Sequence, residues 1–167
     1  HHHKCPKCGK VYSGRPYDDV LFTRIHWRNL SRARRAAWAY AITGRDQFAQ
    51  FAAKVLLGYA ERYEKYPLHA ANRRYPDNAW ARQSSGRLFA QTLSEAACMA
   101  EHVAPAYDLV HDSGTLVKGD RQKIERHLIM PMLENIAKNK HGKSNWQTWH
   151  NAAMLAGGTL LGEADWL

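Results

Sequence analysis

At 167 residues the chain has room for one domain with a sizeable core, or for a large piece of something bigger. Its 45% hydrophobic content, with six Trp, eight Tyr and four Phe, excludes a disordered chain, and no apolar run approaches the ~20 residues that a membrane span requires. The formal charge of +9, from 24 Lys+Arg against 15 Asp+Glu, points to an anionic partner: nucleic acid, an acidic polysaccharide or a membrane surface.

Residues 1–17 come first as a short irregular segment carrying "CPKCG". Cys5 and Cys8 have the spacing of a zinc or rubredoxin-like knuckle, in which Pro and Gly shape the backbone so that both thiolates face one ion. A structural zinc site takes four ligands. His1, His2 or His3 could supply more, although three leading His equally resemble a purification-tag remnant. A disulfide between the two Cys, or a half-site completed from elsewhere, fits the spacing as well. Cys98, alone in "EAACMA", reads as a buried small hydrophobe.

Residues 18–167 read as helix after helix. Asp18 or Asp19 caps a run that Gly44 closes, and Asp46 opens a second run that Pro67 stops. Residues 67–83 form a long loop. Ser84 or Ser85 opens a third helix, which Pro105 kinks or splits, and "HDSG" is a turn. Asp120 caps a further helix with Pro131 as an interior break; Gly142 ends that segment and Ser144 opens the last. No strand-like alternation competes with the helical period. In "AITGRDQF", "LVKGDRQK" and "LLGEADWL" a Gly ends one helix and an acidic residue starts the next. Such tight turns join antiparallel neighbours, which predicts an all-α run of helical hairpins. "EADWL" looks like the first turn of another helix, so the array is expected to be truncated and to expose an apolar face at its C-terminal edge.

Three clusters are candidates for function. The basic run "RNLSRARR" sits in a helical pattern and reads as a solvated face. In "NRRYPDNAWARQSSGRLFAQ", Trp80, Arg82, Arg87 and Gln91 suit a groove, Trp stacking on a flat apolar face and Arg or Gln bonding carboxylates or hydroxyls. The plain alternative is a basic surface loop with its Trp anchored in the core. In "SNWQTWHNAA", Ser144 is an N-cap with Gln147 three residues on. On a helix, Asn145, Trp146, Trp149 and His150 span one broad arc. Capping explains Ser144 and Gln147 but leaves those four residues over.

"CPKCGKVYSG", "TLSEAACMAEHVAPAYDLV" and "KSNWQTWHNAAMLAGGTLLGEADWL" resemble, in that order, the N-terminal helical domain of heparinase II/III-like and oligoalginate polysaccharide lyases. The resemblance covers nearly the whole chain. It implies an incomplete (α/α) toroid, followed in the family by antiparallel β-sheet domains. It also implies cleavage of uronic-acid-containing glycans by β-elimination. That reaction needs a neutraliser for the uronate carboxylate, a base for the C5 proton and an acid for the leaving oxygen. The resemblance puts Asn145 in the neutralising position. It makes His150 the accompanying His, with Trp146 standing directly after the Asn, where relatives often carry the His. Trp146 and Trp149 would line the substrate. The family's Tyr acid is expected beyond Leu167, so the chain by itself would hold half a site. The resemblance implies no cofactor for catalysis, an anionic polysaccharide as partner and action in the periplasm or outside the cell. There a disulfide or a structural zinc at Cys5 and Cys8 is compatible. The competing expectation is a non-catalytic basic helical module with a zinc knuckle, binding nucleic acid or glycan. The single CxxC and the scattered basic residues disfavour nucleic acid.

Overall fold

The computed structural model of the chain describes residues 1–14, 17–69, 85–139 and 142–163. Two short antiparallel strands, β1 (His3–Lys4) and β2 (Val11–Tyr12), pair His3 with Tyr12 and Lys4 with Val11. Everything after them is helical. The helices are α1 (Tyr17–Thr43), α2 (Asp46–Ala60), α3 (Thr92–Cys98), α4 (Ala104–His111), α5 (Lys118–Ile124), α6 (Met130–Ala137) and α7 (Asn145–Leu161). A 3-10 turn covers Tyr63–Lys65. The all-α expectation holds, with the CxxC segment as a small hairpin.

Helices α1 and α2 form a hairpin. Gly44 takes φ +66°, a left-handed turn that a Cβ would strain, and Arg45 leads straight into Asp46. Small residues make the pairing close: Ala33 and Ala37 on α1 are buried, as are Ala49, Ala52, Ala53 and Ala60 on α2, with Leu30 and Leu56 filling the gaps. Each fully buried Leu contributes about 2 kcal/mol of transfer free energy. Helix α4 packs on α1 and α2, while α7 packs on α3 and α6, so the core runs continuously between the two sets. At Gly157 of α7 a Cβ would lie 2.6 Å from Leu133 Cδ1 on α6, so a side chain there would force the buried Leu133 to shift.

The two prolines act differently from the expected breaks. Helix α3 passes into α4 through a π-turn, Met99–Val103, and α5 passes into α6 through another, Glu125–Ile129. Pro105 and Pro131 each stand two residues beyond the end of their turn. A proline lacks an amide hydrogen and crowds the carbonyl four residues back; a widened turn relieves both problems without ending the helix. For Pro105 that carbonyl belongs to Glu101, and Arg34 Nη1 on α1 donates to it at 3.3 Å.

Two further boundaries differ from expectation. Helix α3 starts at Thr92, because residues 87–91 are bent around the Glu95 carboxylate. Gly119 lies inside α5, and Gly114 is the left-handed residue of that connection. Among the described residues, open apolar side chains lie mainly on α1, including Trp38 and Ile42, with Leu155 on α7.

Candidate functional site

Helix α7 begins as its sequence requires. Ser144 adopts extended backbone and its hydroxyl accepts from the Gln147 amide at 3.4 Å. The Gln147 side chain donates to Asn151 Oδ1 at 2.7 Å, one turn on. The arc of four leftover residues straddles the edge of the core. Asn145 and Trp149 share the open side, Trp149 being 37% exposed, whereas Trp146 is half-buried and His150 is 1% exposed. The helix therefore presents an amide beside an indole to solvent, with an imidazole beneath. An amide of this kind donates to a carboxylate, and an indole face stacks on a sugar ring.

Helix α7 also lies against the π-turn Met99–Val103. That turn carries His102, a buried residue that sequence reasoning missed. Both His102 ring nitrogens lack a hydrogen-bond partner among the described residues. The ring meets Trp27 edge-on at 4.8 Å between centroids. Burial, together with the Arg34 and Arg35 charges, pushes its pKa down against the opposing Glu101, so the imidazole is held neutral. The visible clue was Pro105, three residues on, since proline inside a helix marks a widened turn and such turns gather at functional positions.

The loop candidates separate. Gln91 is exposed, in extended backbone just before α3. Arg87 is engaged in structure: its Nη1 donates to the Tyr66 carbonyl at 2.6 Å and the Glu64 carbonyl at 3.1 Å, and its guanidinium lies 5.9 Å from the Tyr63 ring centre. Trp80 and Arg82 fall outside the described residues. Beneath this loop is a buried polar knot. Glu95 is fully buried, accepting from the Tyr63 hydroxyl and, at 2.7 Å, from the Arg87 amide. Burial pushes the Glu95 carboxyl up to about 7 in spite of those donors. Gly86 is obligatory here, because a Cβ would sit 2.0 Å from Glu95 Oε2 and 2.7 Å from the Phe89 carbonyl.

A cleft of about 550 Å³ lies between α1 and α2, with Arg32, Lys54 and Arg62 around Phe51 and Tyr66. The "RNLSRARR" run is thus not wholly a solvated face: Arg32 lines this cleft and Arg34 reaches Glu101. His26 lines it too, its Nδ1 2.9 Å from the Tyr59 hydroxyl, and burial first and His69 second push its pKa down to about 4. The floor of the cleft is therefore neutral and its rim cationic.

At the N-terminus, the Cys5 amide donates to the Lys10 carbonyl at 2.8 Å and the Gly9 amide to the Cys5 carbonyl at 2.9 Å, with Gly9 at φ +71°. The amides of Cys8 and Lys7 donate to the Cys5 sulfur and lower its pKa. Both thiols are free. Among the described residues, no group of three or more His, Cys, Asp or Glu is placed to hold a metal ion.

No family profile matches the chain. Over 144 residues, 84% of this chain, it is 32% identical to an exo-oligoalginate lyase of Saccharophagus degradans. Over 143 residues, again 84% of the chain, it is 29% identical to an alginate lyase of Stenotrophomonas maltophilia. The chain is a homologue of these alginate lyases. It spans 18% of the length of each. Among the described residues, no helix is long and apolar enough to cross a membrane.

Proposed function

We propose that the chain is the helical portion of a polysaccharide lyase that cleaves uronate-containing anionic glycans by β-elimination, its helical hairpins forming part of an incomplete (α/α) toroid. The observation that carries this reading is the pairing of an exposed Asn145 amide with the exposed Trp149 indole at the capped start of α7, in a chain homologous to alginate lyases.

The chemistry follows from charge. A uronate carboxylate carries a full negative charge, so removing the neighbouring C5 proton would place a second one on the same group. An amide N–H on the carboxylate offsets that charge and lets it delocalise into the carboxyl group. The C5–H bond then breaks toward a base, a C4–C5 double bond forms, and the C4–O bond breaks as an acid protonates the leaving oxygen. Asn145 is the neutraliser. Trp149, with Trp146 beside it, stacks on the sugar. His150 supports Asn145 from beneath the surface. Gln91, Arg82 and Trp80 add contacts to the glycan, whereas Arg87 serves the structure by donating to the Glu64 and Tyr66 carbonyls. The acid and base, a Tyr by family resemblance, come from outside this chain, and the chain alone is inactive. No cofactor takes part. The cationic rim of Arg32, Lys54 and Arg62 suits an acidic glycan, in a protein acting in the periplasm or outside the cell.

The test uses the full-length parent and follows the ultraviolet absorbance of the unsaturated uronate. Asn145→Ala is expected to abolish product formation, and Trp149→Ala to raise KM with a smaller effect on kcat. Turnover unchanged in Asn145→Ala removes that residue from the mechanism.

A further inference from the structure

Helix α1 carries a surface that the α7 site does not use. Leu30, Ala33 and Ala37 mark its core side. Arg24, Arg28 and Arg32 follow one another at single-turn spacing and are all exposed, so they form a row on the side facing solvent. Each step along the row advances about 6 Å, the rise of four helical residues. No acidic residue occurs from Val20 to Arg45. Among the described residues no carboxylate pairs with Arg24, Arg28, Arg32 or Lys54. Such an unneutralised row repels itself, and a bound polyanion relieves that repulsion.

The row borders the α1–α2 cleft of about 550 Å³, which Arg32 lines together with Lys54 and Arg62. Arg62 is partly engaged, its Nη1 donating to the Gly58 carbonyl at 2.7 Å, which leaves Arg32 and Lys54 as the open cations. In the same cleft Phe51 keeps 45% of its surface exposed, and Tyr66 is half-buried. Asn29 and the hydrogen-bonded His26–Tyr59 pair add neutral polar atoms. A carboxylated sugar calls for this combination: cations for its carboxylate, a flat apolar face for its ring, and neutral donors and acceptors for its hydroxyls. An inorganic anion would leave the aromatic faces uncovered. Among the described residues none from α7 lines the cleft.

We propose that the cleft and the arginine row are a second, non-catalytic binding site for a polyuronate chain. One uronate unit seats in the cleft, its carboxylate on Arg32 and Lys54 and its ring against Phe51. The units that follow lie along Arg28 and Arg24 on the open side of α1. The site grips the polymer and leaves the chemistry to α7. The choice of a uronate rests on the lyase reading above; the site itself rests on α1 and α2.

The test is an equilibrium titration of this chain by calorimetry with oligouronates of three and of six units. Affinity should rise about tenfold from the shorter to the longer, because each added contact is made at high effective concentration. Arg32→Gln and Lys54→Gln should each weaken both ligands several-fold, and so should Phe51→Ala. An Arg24→Gln/Arg28→Gln double variant should leave the shorter ligand unchanged and erase the gain of the longer. Circular dichroism should show every variant equally helical. Equal affinities for the two lengths, or parental binding in both Arg32→Gln and Lys54→Gln, overturn the proposal. So does polyglutamate of matched charge binding as tightly as the longer oligouronate with no loss in Phe51→Ala, which marks attraction by charge alone. A single-stranded oligodeoxynucleotide that binds more tightly than either oligouronate also overturns it and makes the surface a nucleic-acid site. No turnover enters these measurements. If they fail, Asn145→Ala in the parent still tests the lyase reading; if that variant keeps its activity, the binding result stands.

Discussion

Glu95 is held on every side. Its carboxyl group is sealed between Tyr63, Arg87 and Gly86, with folded pKa about 7 against a reference of 4.5. A carboxyl whose pKa rises on folding stabilises the protein fully below pH 4.5, and that contribution is lost as pH climbs through about 7. His26 works the other way: its pKa falls from 6.5 to about 4, so its contribution is present above 6.5 and lost as pH drops through 4. The two slopes oppose each other between roughly pH 4.5 and 6.5, and His102, whose pKa burial also lowers, adds to the rising side. Glu95→Gln retains a donor and an acceptor for Tyr63 and Arg87, and should make stability rise more steeply with pH than in the parent; His26→Gln should make it rise less steeply or fall. Urea midpoints across this range check both, and a parallel shift with no change of slope would refute the assignment. Little of this was legible in the sequence. Glu95 looks like an ordinary acidic residue in a helix's first turn, because its partner Tyr63 lies 32 positions away and only the fold brings them together. Ser144, by contrast, was readable, since a cap and its recipient amide are three residues apart. The inward turn of His150 was not, because a helical arc does not say where the core's edge falls.

At the scale of elements, the π-turns decide how two long helices carry a proline each. Pro105 leaves the Glu101 carbonyl without its helical donor, and Arg34 supplies one from α1. Arg34→Met keeps most of the packing but removes that donor, and should cost about 1–2 kcal/mol. In a Pro105→Ala background the restored amide can serve the same carbonyl, so Arg34→Met should then cost well under half as much. A double-mutant cycle by chemical denaturation tests this; additive effects would mean that Arg34 and Pro105 are not linked through Glu101. Sequence reading marked Pro105 and Pro131 as breaks because proline removes one hydrogen bond in any straight helix. It could not foresee a widened turn, which depends on what waits beside the freed carbonyl. The helix α1–α2 hairpin was legible for the opposite reason: Gly44 and Asp46 are local signals, and the alanine stripes facing each other carry the helical period themselves.

For the molecule as a whole, charge is distributed and its use is local. Of the 24 basic residues, three gather around the neutral floor of the α1–α2 cleft. If that cleft carries part of an acidic glycan, the isolated chain should bind oligouronates weakly, with affinity that falls as salt screens the rim. Arg32→Glu and Lys54→Glu should each weaken binding several-fold by tryptophan fluorescence titration, and Asn145→Ala much less on this truncated path than in turnover. Unchanged affinity in both cationic variants would place the glycan elsewhere. The resemblance in the sequence reached the lyase relationship through the order of its segments, yet the cleft escaped it, because Arg32, Lys54 and Arg62 sit in different stretches and share a face only after α1 and α2 have packed.

Cys98 lies at 0% exposure in the middle of that packing, with burial holding its thiol pKa well above the usual cysteine value, while Cys8 stands open to solvent and Cys5 is half-exposed. In the metal-free chain the thiols therefore keep two kinds of time. A labelling reagent meets the hairpin pair at once, but it meets Cys98 only when α3 comes away from its neighbours. The slow third thiol is a clock wound into the fold, and its labelling rate under native conditions reads directly how often this helical array opens.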